Sequence, residues 1–199
     1  LRRTLLYPQK TGELKIEPLT LDISVQVPSN RRDFFGNLIS SSVNKTVSSG
    51  SSIIDVKSLP IDNKPKDFSG AVGSFSFEIK SDKNELLTDE AFQLSLIVSG
   101  DGNFNLFEDP KISLPNSLEV YEPEKISNIS VRARGIKGNI NNKYTVVPNN
   151  PGKYTIPETK FSFFNPVSAE YKTIYSDPIF IDVDGAYNSS LVSSDINEK

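Results

Sequence analysis

The sequence predicts an all-β protein of the β-sandwich type, on three observations. Short runs alternate apolar and polar residues with a period of two, which is the pattern of half-buried strands. Prolines and glycines, 13 and 11 of the 199 residues, separate these runs at the spacing of turns. No window of a dozen residues keeps the 3.6-residue apolar period of an amphipathic helix. Regular short strands without intervening helices favour sandwiches over βαβ units.

The alternation also predicts which side chains form the core. In "SFSFEIK" and "FQLSLIVS" every second residue is large and apolar. These core positions are Phe75, Phe77, Ile79, Phe92, Leu94 and Leu96. Further along, "KFSFF" alternates in the same way, so Phe161 and Phe163 are expected to point inward.

One stretch of the chain occurs twice. "TLLYPQKTGELKIEPLTLDISVQVP" begins at Thr4 and "YTVVPNNPGKYTIPETKFSFFNP" at Tyr144, and each runs strand, Pro, three residues, Gly, three residues, Ile, strand. A third element follows each copy, at 51–60 and 176–185. The period of about 140 residues is too long for a solenoid, whose units are roughly 20–50 residues. It therefore indicates a repeat of whole domains.

The strands in front of the two copies differ, and this difference predicts the domain organisation. The second copy is preceded by a full set of strands from about Phe75 to Gly135, and the first is not. We therefore expect the chain to be a piece of a longer protein. The predicted divisions are the last strands of a truncated domain at 1–60, with a Ser-rich loop at 30–52, a linker at 61–65, a complete domain at 66–184 and a polar tail at 185–199.

A half-sandwich at 1–60 would leave an apolar face unprotected, which is unfavourable. The predicted members of this face include Leu14, Ile16, Leu19, Leu21 and Ile23. We expect it to be covered by the following domain, by a neighbouring chain or by sequence N-terminal to the segment.

Composition excludes several function classes. A net charge of -3 argues against nucleic-acid binding, and no apolar run is long enough for a membrane-spanning helix. The absence of Cys and His removes disulfides, thiolate zinc sites and Ser-His-Asp or Cys-His catalysis. No cofactor, metal site or catalytic residue is predicted, and we expect a non-enzymatic protein.

Two motifs resemble ligand loops but depart from them. "DGNFNLFED" has the opening oxygen spacing of a calcium loop, yet its sixth and twelfth positions are Leu106 and Ile112. "FSGAVGSFSF" has two glycines but leads into a strand rather than a phosphate-binding helix. Both are predicted to be structural turns.

The candidate interaction residues fall into a basic group and an aromatic group. Near "VRARGIKG", the basic residues form either a solvated strand face or a docking patch for an acidic partner. In "KFSFFNPVSAEYKTIY", three aromatic residues are candidates for an exposed interface. The candidates are Arg132, Arg134, Lys137, Phe164, Tyr171 and Tyr175.

A family resemblance runs in order over most of residues 1–184. The segments "YPQKTGELKIEP", "LPIDNKPKDFSGAVGSF", "VSGDGNFNLFEDPKISLPNSLEVYEP" and "YTVVPNNPGKYTIPETKFSFFNP" resemble BatD, the aerotolerance or oxygen-tolerance family of bacterial envelopes. The resemblance implies tandem immunoglobulin-like domains on the periplasmic side of the inner membrane, with a signal peptide and a C-terminal membrane helix that this fragment lacks. It also implies assembly with BatA and BatB, membrane proteins with von Willebrand A-type domains.

From these observations we predict a non-catalytic, soluble periplasmic fragment of a membrane-anchored protein that mediates protein–protein assembly. The alternative is a carbohydrate-binding or carboxylate-based glycan-hydrolysing module. A glycan binder would show a row of exposed aromatics on a sheet face, and a hydrolase would show paired acids in a cleft. The oligomeric state is not predicted.

Overall fold

The structure, a computed structural model, describes residues 5–132 and 135–185. Its described part contains strands and no helix, so the predicted all-β, sandwich-type fold is confirmed. The chain divides into two compact units, Leu1–Pro60 and Ile61–Lys199. We refer to them as the N-terminal and C-terminal units.

The N-terminal unit consists of two antiparallel strand pairs. Its strands are β1 (Gly12–Ile16), β2 (Thr20–Arg32), β3 (Leu38–Ser48) and β4 (Ser52–Val56). β1 pairs with β4, and β2 pairs with β3 to make a long hairpin that we call the ribbon.

The expected Ser-rich loop at 30–52 is wrong, because most of this segment belongs to the ribbon. Within β3, Val43 and Val47 are opposite Val25 and Leu21 of β2, so the four side chains share one face. Ser24 and Thr46 lie on the other face, whereas Lys45, opposite Ile23, shares the face of the valines. The apolar alternation of β3 is sparse in the sequence, and it becomes evident only when it is aligned with β2.

In the part that the structure describes, the C-terminal unit carries ten strands. They are β5 (Gly73–Ser81), β6 (Glu85–Leu87), β7 (Phe92–Gly102), β8 (Leu118–Val120), β9 (Glu124–Arg132), β10 (Gly135–Pro148), β11 (Gly152–Ile156), β12 (Lys160–Asn165), β13 (Glu170–Tyr175) and β14 (Ile179–Asp184). A five-stranded sheet runs β5-β7-β10, with β8 and β9 both pairing with β10. A three-stranded sheet runs β11-β14-β6, in which β14 and β6 are parallel, and β12 and β13 form a hairpin.

The core of the C-terminal unit lies on the inner face of the five-stranded sheet. All six core residues predicted from β5 and β7 are buried, as are Phe161 and Phe163. The ring of Phe75 contacts those of Phe161 and Phe163 at centroid distances of 5.7 and 5.5 Å. Gly102 makes room for this ring, because a Cβ there would lie 2.3 Å from Phe75 Cζ.

The sequence repeat is also a structural repeat. β11 pairs with β14 as β1 pairs with β4, and β12 pairs with β13 as β2 pairs with β3. At the open end of each hairpin the same two hydrogen bonds form. Ser49 N donates to Leu19 O (3.1 Å) and Leu19 N to Ser49 Oγ (3.0 Å); Ser176 N donates to Thr159 O (2.9 Å) and Thr159 N to Ser176 Oγ (3.0 Å).

The predicted apolar face of residues 1–60 is present, and much of it is exposed in the described residues. Leu14 and Ile16 are half-buried, whereas Leu19, Leu21 and Ile23 are exposed. The ribbon therefore displays an apolar stripe to solvent.

Candidate interaction site

The basic group lies at the end of the β9–β10 hairpin. Arg132 and Lys137 are exposed and on the same face, since Lys137 is opposite Ser130, two residues from Arg132. Lys137 Nζ lies 3.6 Å from Asp101 Oδ2, so its charge is partly balanced by a neighbour on β7. Arg134, the third predicted member, lies outside the described residues. The described patch is therefore small and only weakly basic.

The aromatic group is divided by burial. Phe164 is buried, so its predicted place on the surface is wrong. It bridges to Val72, and its N–H donates to Ala71 O (2.8 Å), so the segment before β5 runs alongside its backbone. Tyr171 is half-buried with its ring 5.1 Å from those of Phe164 and Phe68. Tyr175 alone of the three is well exposed.

Most of the outer face of the five-stranded sheet is polar, apart from Ile97 and Ile126 in its middle row. One row across four strands consists of Ser76, Ser99, Asn139 and Asn128, and another of Lys80, Ser95, Lys143 and Glu124. In these rows the face carries hydroxyls, amides and charges in place of the aromatic row that a glycan-binding sheet would show.

A cavity of about 420 Å³ in the C-terminal unit is lined by both acids and lysines. Its acidic residues are Asp67, Glu108, Asp109 and Glu158. Lys125 Nζ and Asn142 Nδ2 donate to Asp109 Oδ2 at 2.6 and 3.0 Å, and Lys160 Nζ lies 3.4 Å from Asp67 Oδ2. Two of the four acids are therefore already engaged by lysine or amide donors.

Tyr144 belongs to the surroundings of the same carboxylate. Burial raises the pKa of its hydroxyl, and the nearby charge of Asp109 raises it further. The tyrosine is therefore neutral at physiological pH, and Asp109 is held by lysine and amide donors. This group of residues has the character of a structural ion pair.

The most exposed aromatic side chains lie at the tip of the ribbon, which the sequence analysis had assigned to a loop. Phe34 and Phe35 are 98% and 85% exposed and pack edge to face at 5.6 Å. The turn that carries them is ordered by Asp33, whose Oδ1 accepts hydrogen bonds from Phe35 N (2.9 Å) and Asn37 N (2.8 Å). Arg32 Nη1 donates to Gly36 O (2.6 Å) across the same turn. The signal available in the sequence was the pair "FF" beside turn-forming Asp and Gly.

Other classes of site find no support in the described part of the chain. There, no three carboxylates converge as metal ligands would, and no helix is long and apolar enough to cross a membrane. Exposed aromatic and basic side chains are the features with potential for recognition.

Comparison with protein families gives one match. Residues 79–183, more than half of the chain, match the family model described as "BatD DUF11 like domain". The match runs from β5 to β14 and so includes strands of every sheet in the C-terminal unit. No curated protein and no solved structure matches the chain significantly.

Proposed function

This chain belongs to the BatD family, and from that membership we propose that it is a non-catalytic assembly module of an aerotolerance-type complex. The family is one of bacterial envelope proteins. In the proposal the module lies on the periplasmic side of the inner membrane, attached to a membrane anchor in the full-length protein. Its partners are the von Willebrand A-type membrane proteins BatA and BatB.

The exposed pair Phe34 and Phe35 is the observation that carries this proposal. Burying a phenylalanine side chain contributes about 1.5–3 kcal/mol, so two fully hydrated rings are a substantial unused driving force for association. Aromatic residues are enriched among the residues that dominate binding energy at protein interfaces. A partner with an apolar pocket would gain most of this energy from the tip alone.

The order of the turn supports display of the rings. The hydrogen bonds that Asp33 accepts, the one from Asn37 N foremost, hold the pKa of its carboxyl below the usual 3.8. The carboxylate is therefore ionised at physiological pH and keeps the backbone of the turn in one conformation. A turn fixed before binding lowers the entropy lost on association.

The ribbon extends beyond the part that the repeat requires. β12 and β13 have six residues each, whereas β2 has 13 and β3 has 11. The additional length carries the phenylalanine tip. This extension is what distinguishes the N-terminal unit from its counterpart, and we assign the partner contact to it.

Arg132 and Lys137 enter the proposal as a weaker, peripheral contact. Exposed charges at the edge of an interface act mainly on the association rate and its salt dependence. Tyr175 is the aromatic candidate from the sequence that stays available on the surface.

The test is a titration of purified BatA and BatB von Willebrand A-type domains with this chain, with and without magnesium. We expect saturable binding that weakens at least about 30-fold in the double variant Phe34→Ser, Phe35→Ser, because an aromatic pair at an interface is worth about 2 kcal/mol or more. The matched control is Val167→Ser, which removes an equally exposed apolar side chain from the C-terminal unit. It should bind as the unsubstituted chain does.

Two results would contradict the proposal. One is the absence of binding to either partner in both conditions. The other is binding that the double variant retains in full, which would exclude the tip as the contact.

The acid-lined cavity of about 420 Å³ is the observation that favours the second candidate function, glycan binding or hydrolysis. A glycan array probed with the same protein separates the two functions. Specific glycan binding that Glu158→Gln abolishes would favour the cavity, and an empty array would leave assembly as the proposal.

A further inference from the structure

Matched positions in the two copies of the repeat pair in the same way. They differ in burial on one face of the strands and agree on the other. Ile53 and Phe180 occupy equivalent sites on the outer face of their strands and are 67% and 66% exposed. One residue along, on the inner face, Ile54 is 47% exposed and its equivalent Ile181 is 1% exposed. The difference between the units is therefore confined to the inner face.

In the C-terminal unit the strands that precede the repeat cover this inner face. Ile156, Ile181 and Val183 of β11 and β14 form one core cluster with Phe92 and Leu94 of β7. Leu118 of β8 and Val146 of β10 join the same cluster.

In the N-terminal unit the corresponding place is an apolar cavity of about 270 Å³. Its apolar lining includes Leu6, Leu14, Ile16, Ile54 and Val56. A space of this size accommodates two or three large apolar side chains. The chemistry of its lining matches that of the cluster in the C-terminal unit.

β14 pairs with a strand on each side, whereas β4 has one edge without a partner strand among the described residues. β6 pairs in parallel with β14, and Asp182 N donates to Asn84 O (2.8 Å) while Thr88 N donates to Asp184 O (2.9 Å). Among the described residues, β4 pairs only with β1. An open edge presents unpaired backbone groups that can accept a further strand.

The residues just before β1 indicate which part of the polypeptide would cover the inner face. Leu6 lies two residues before Pro8, as Val146 of β10 lies two residues before Pro148, and the two are 63% and 0% exposed. The segment leading into Pro8 thus corresponds to the last residues of β10. The strands β5 to β10 of this chain already pack against β11 to β14. Their inner face is therefore already occupied within the C-terminal unit.

We infer that the inner face of β1 and β4, together with the apolar stripe of the ribbon, is the docking face for a β-sheet formed by the polypeptide N-terminal to residue 1 in the full-length protein. This sheet presents large apolar side chains at alternate positions, as β7 does with Phe92 and Leu94. One of its strands pairs in parallel with β4. The inference rests on the repeat and is independent of the partners proposed above.

Thiol accessibility tests this inference, because the chain contains no cysteine. Leu6→Cys and Ile54→Cys are introduced both into the 199-residue chain and into the full periplasmic region with its natural N-terminus. Labelling by a maleimide is followed at each site by mass spectrometry. Ile53→Cys is the matched control, since its equivalent Phe180 stays exposed in the complete unit.

We expect all three thiols to react rapidly in the 199-residue chain. In the longer protein, Leu6→Cys and Ile54→Cys should react roughly 100-fold more slowly, because labelling then requires local opening, and Ile53→Cys should keep its rate. Hydrogen exchange on the unsubstituted proteins is the second measurement. Amides of Ser52–Val56 should gain protection only in the longer form.

Three outcomes would overturn the inference. Equal labelling rates in the two forms would show that the preceding polypeptide does not cover the face. Protection that rises with the concentration of the 199-residue chain would identify a second copy as the cover. If the thiols in the longer protein are protected only after partner domains are added, the cover belongs to another polypeptide.

Discussion

The N-terminal unit and the strands β11 to β14 contain the same four-strand arrangement in two different environments. Both have the Pro-to-Gly turn, the same antiparallel pairings and the same serine closing the hairpin. In one copy Phe161 and Phe163 are buried against Phe75, and in the other their equivalents Leu21 and Ile23 face solvent. The comparison shows that pairing and turn geometry are set locally, whereas burial depends on the strands that come before.

The cross-strand polar pairs illustrate the same separation. Ser162 Oγ and Thr173 Oγ1 are 2.9 Å apart in β12–β13, and Asp22 accepts a hydrogen bond from Thr46 at the equivalent position of the ribbon. The buried copy uses a neutral serine, and the exposed copy carries a carboxylate. Burying that charge would require a partner for it, so side-chain polarity follows the environment while the pairing stays the same.

The largest expected difference between the copies is in the free energy of unfolding that is lost when an inward-facing hairpin side chain is truncated to alanine. Phe161→Ala should lower the free energy of unfolding of the C-terminal unit by about 3–5 kcal/mol, because it leaves a cavity beside Phe75. Leu21→Ala should cost the N-terminal unit about 0.5 kcal/mol or less, as for other exposed sites. Hydrogen exchange in increasing denaturant resolves the two units. Equal costs would break the comparison.

An intermediate difference is expected at the serine that closes each hairpin. Ser176→Ala leaves the buried N–H of Thr159 without an acceptor and should cost about 1–3 kcal/mol. Ser49→Ala removes the same bond to Leu19 N in an exposed place, where water substitutes for the hydroxyl, and should cost less than about 0.5 kcal/mol. Thermal and chemical unfolding of the two variants gives the comparison. A larger loss for Ser49→Ala would show that its site is covered in solution.

The smallest expected effect is a difference in pH dependence between the turns of the two hairpins. Asp33 orders the tip of the ribbon, and the hydrogen bonds it accepts lower the pKa of its carboxyl below 3.8. The stabilisation of that turn is present above pH 3.8 and is lost as the pH falls through the lowered pKa. In β12–β13 the turn is held by Asn165 Oδ1, which accepts from Val167 N (2.9 Å) and has no charge to lose.

Amide chemical shifts recorded by NMR between pH 6 and pH 2 measure this difference. Phe35 and Asn37 should titrate with a midpoint below 3.8, and Val167 should not respond to Asn165 over the same range. A titrating Val167 with an invariant Phe35 would contradict the assignment of the two turns.

The sequence was informative where alternation is local and dense. Phe75, Phe77 and Ile79 reveal their common face within five residues, and the Pro-to-Gly spacing identified the repeat that the strand pairings contain. These features depend on neighbouring residues along the chain. The family resemblance, which rested on several short motifs in order, was confirmed over 79–183.

The errors arose where distant segments decide the outcome. Phe164 follows Phe163 directly and so should face away from the core, yet it is buried, with Val72 bridged to its backbone and the ring of Tyr171 against its own. The serine-rich segment at 30–52 lacks a strong pattern of its own and becomes a strand through its pairing with β2. Because that segment was expected to be a loop, Phe34 and Phe35 were not recognised as candidates for recognition.

The parallel pairing of β14 with β6 also constrains how the protein is made. Thr88 contacts Asp184 across a separation of 96 residues, so β6 lacks its partner strand until β14 has left the ribosome. Contacts between residues so far apart in sequence form late and slow folding. During synthesis, part of the surface around Leu86 and the inner face of β7 therefore stays exposed until β11 and β14 are available to cover it. Truncation just before Ile179 should therefore leave the core cluster of the C-terminal unit incomplete and β6 without its partner strand.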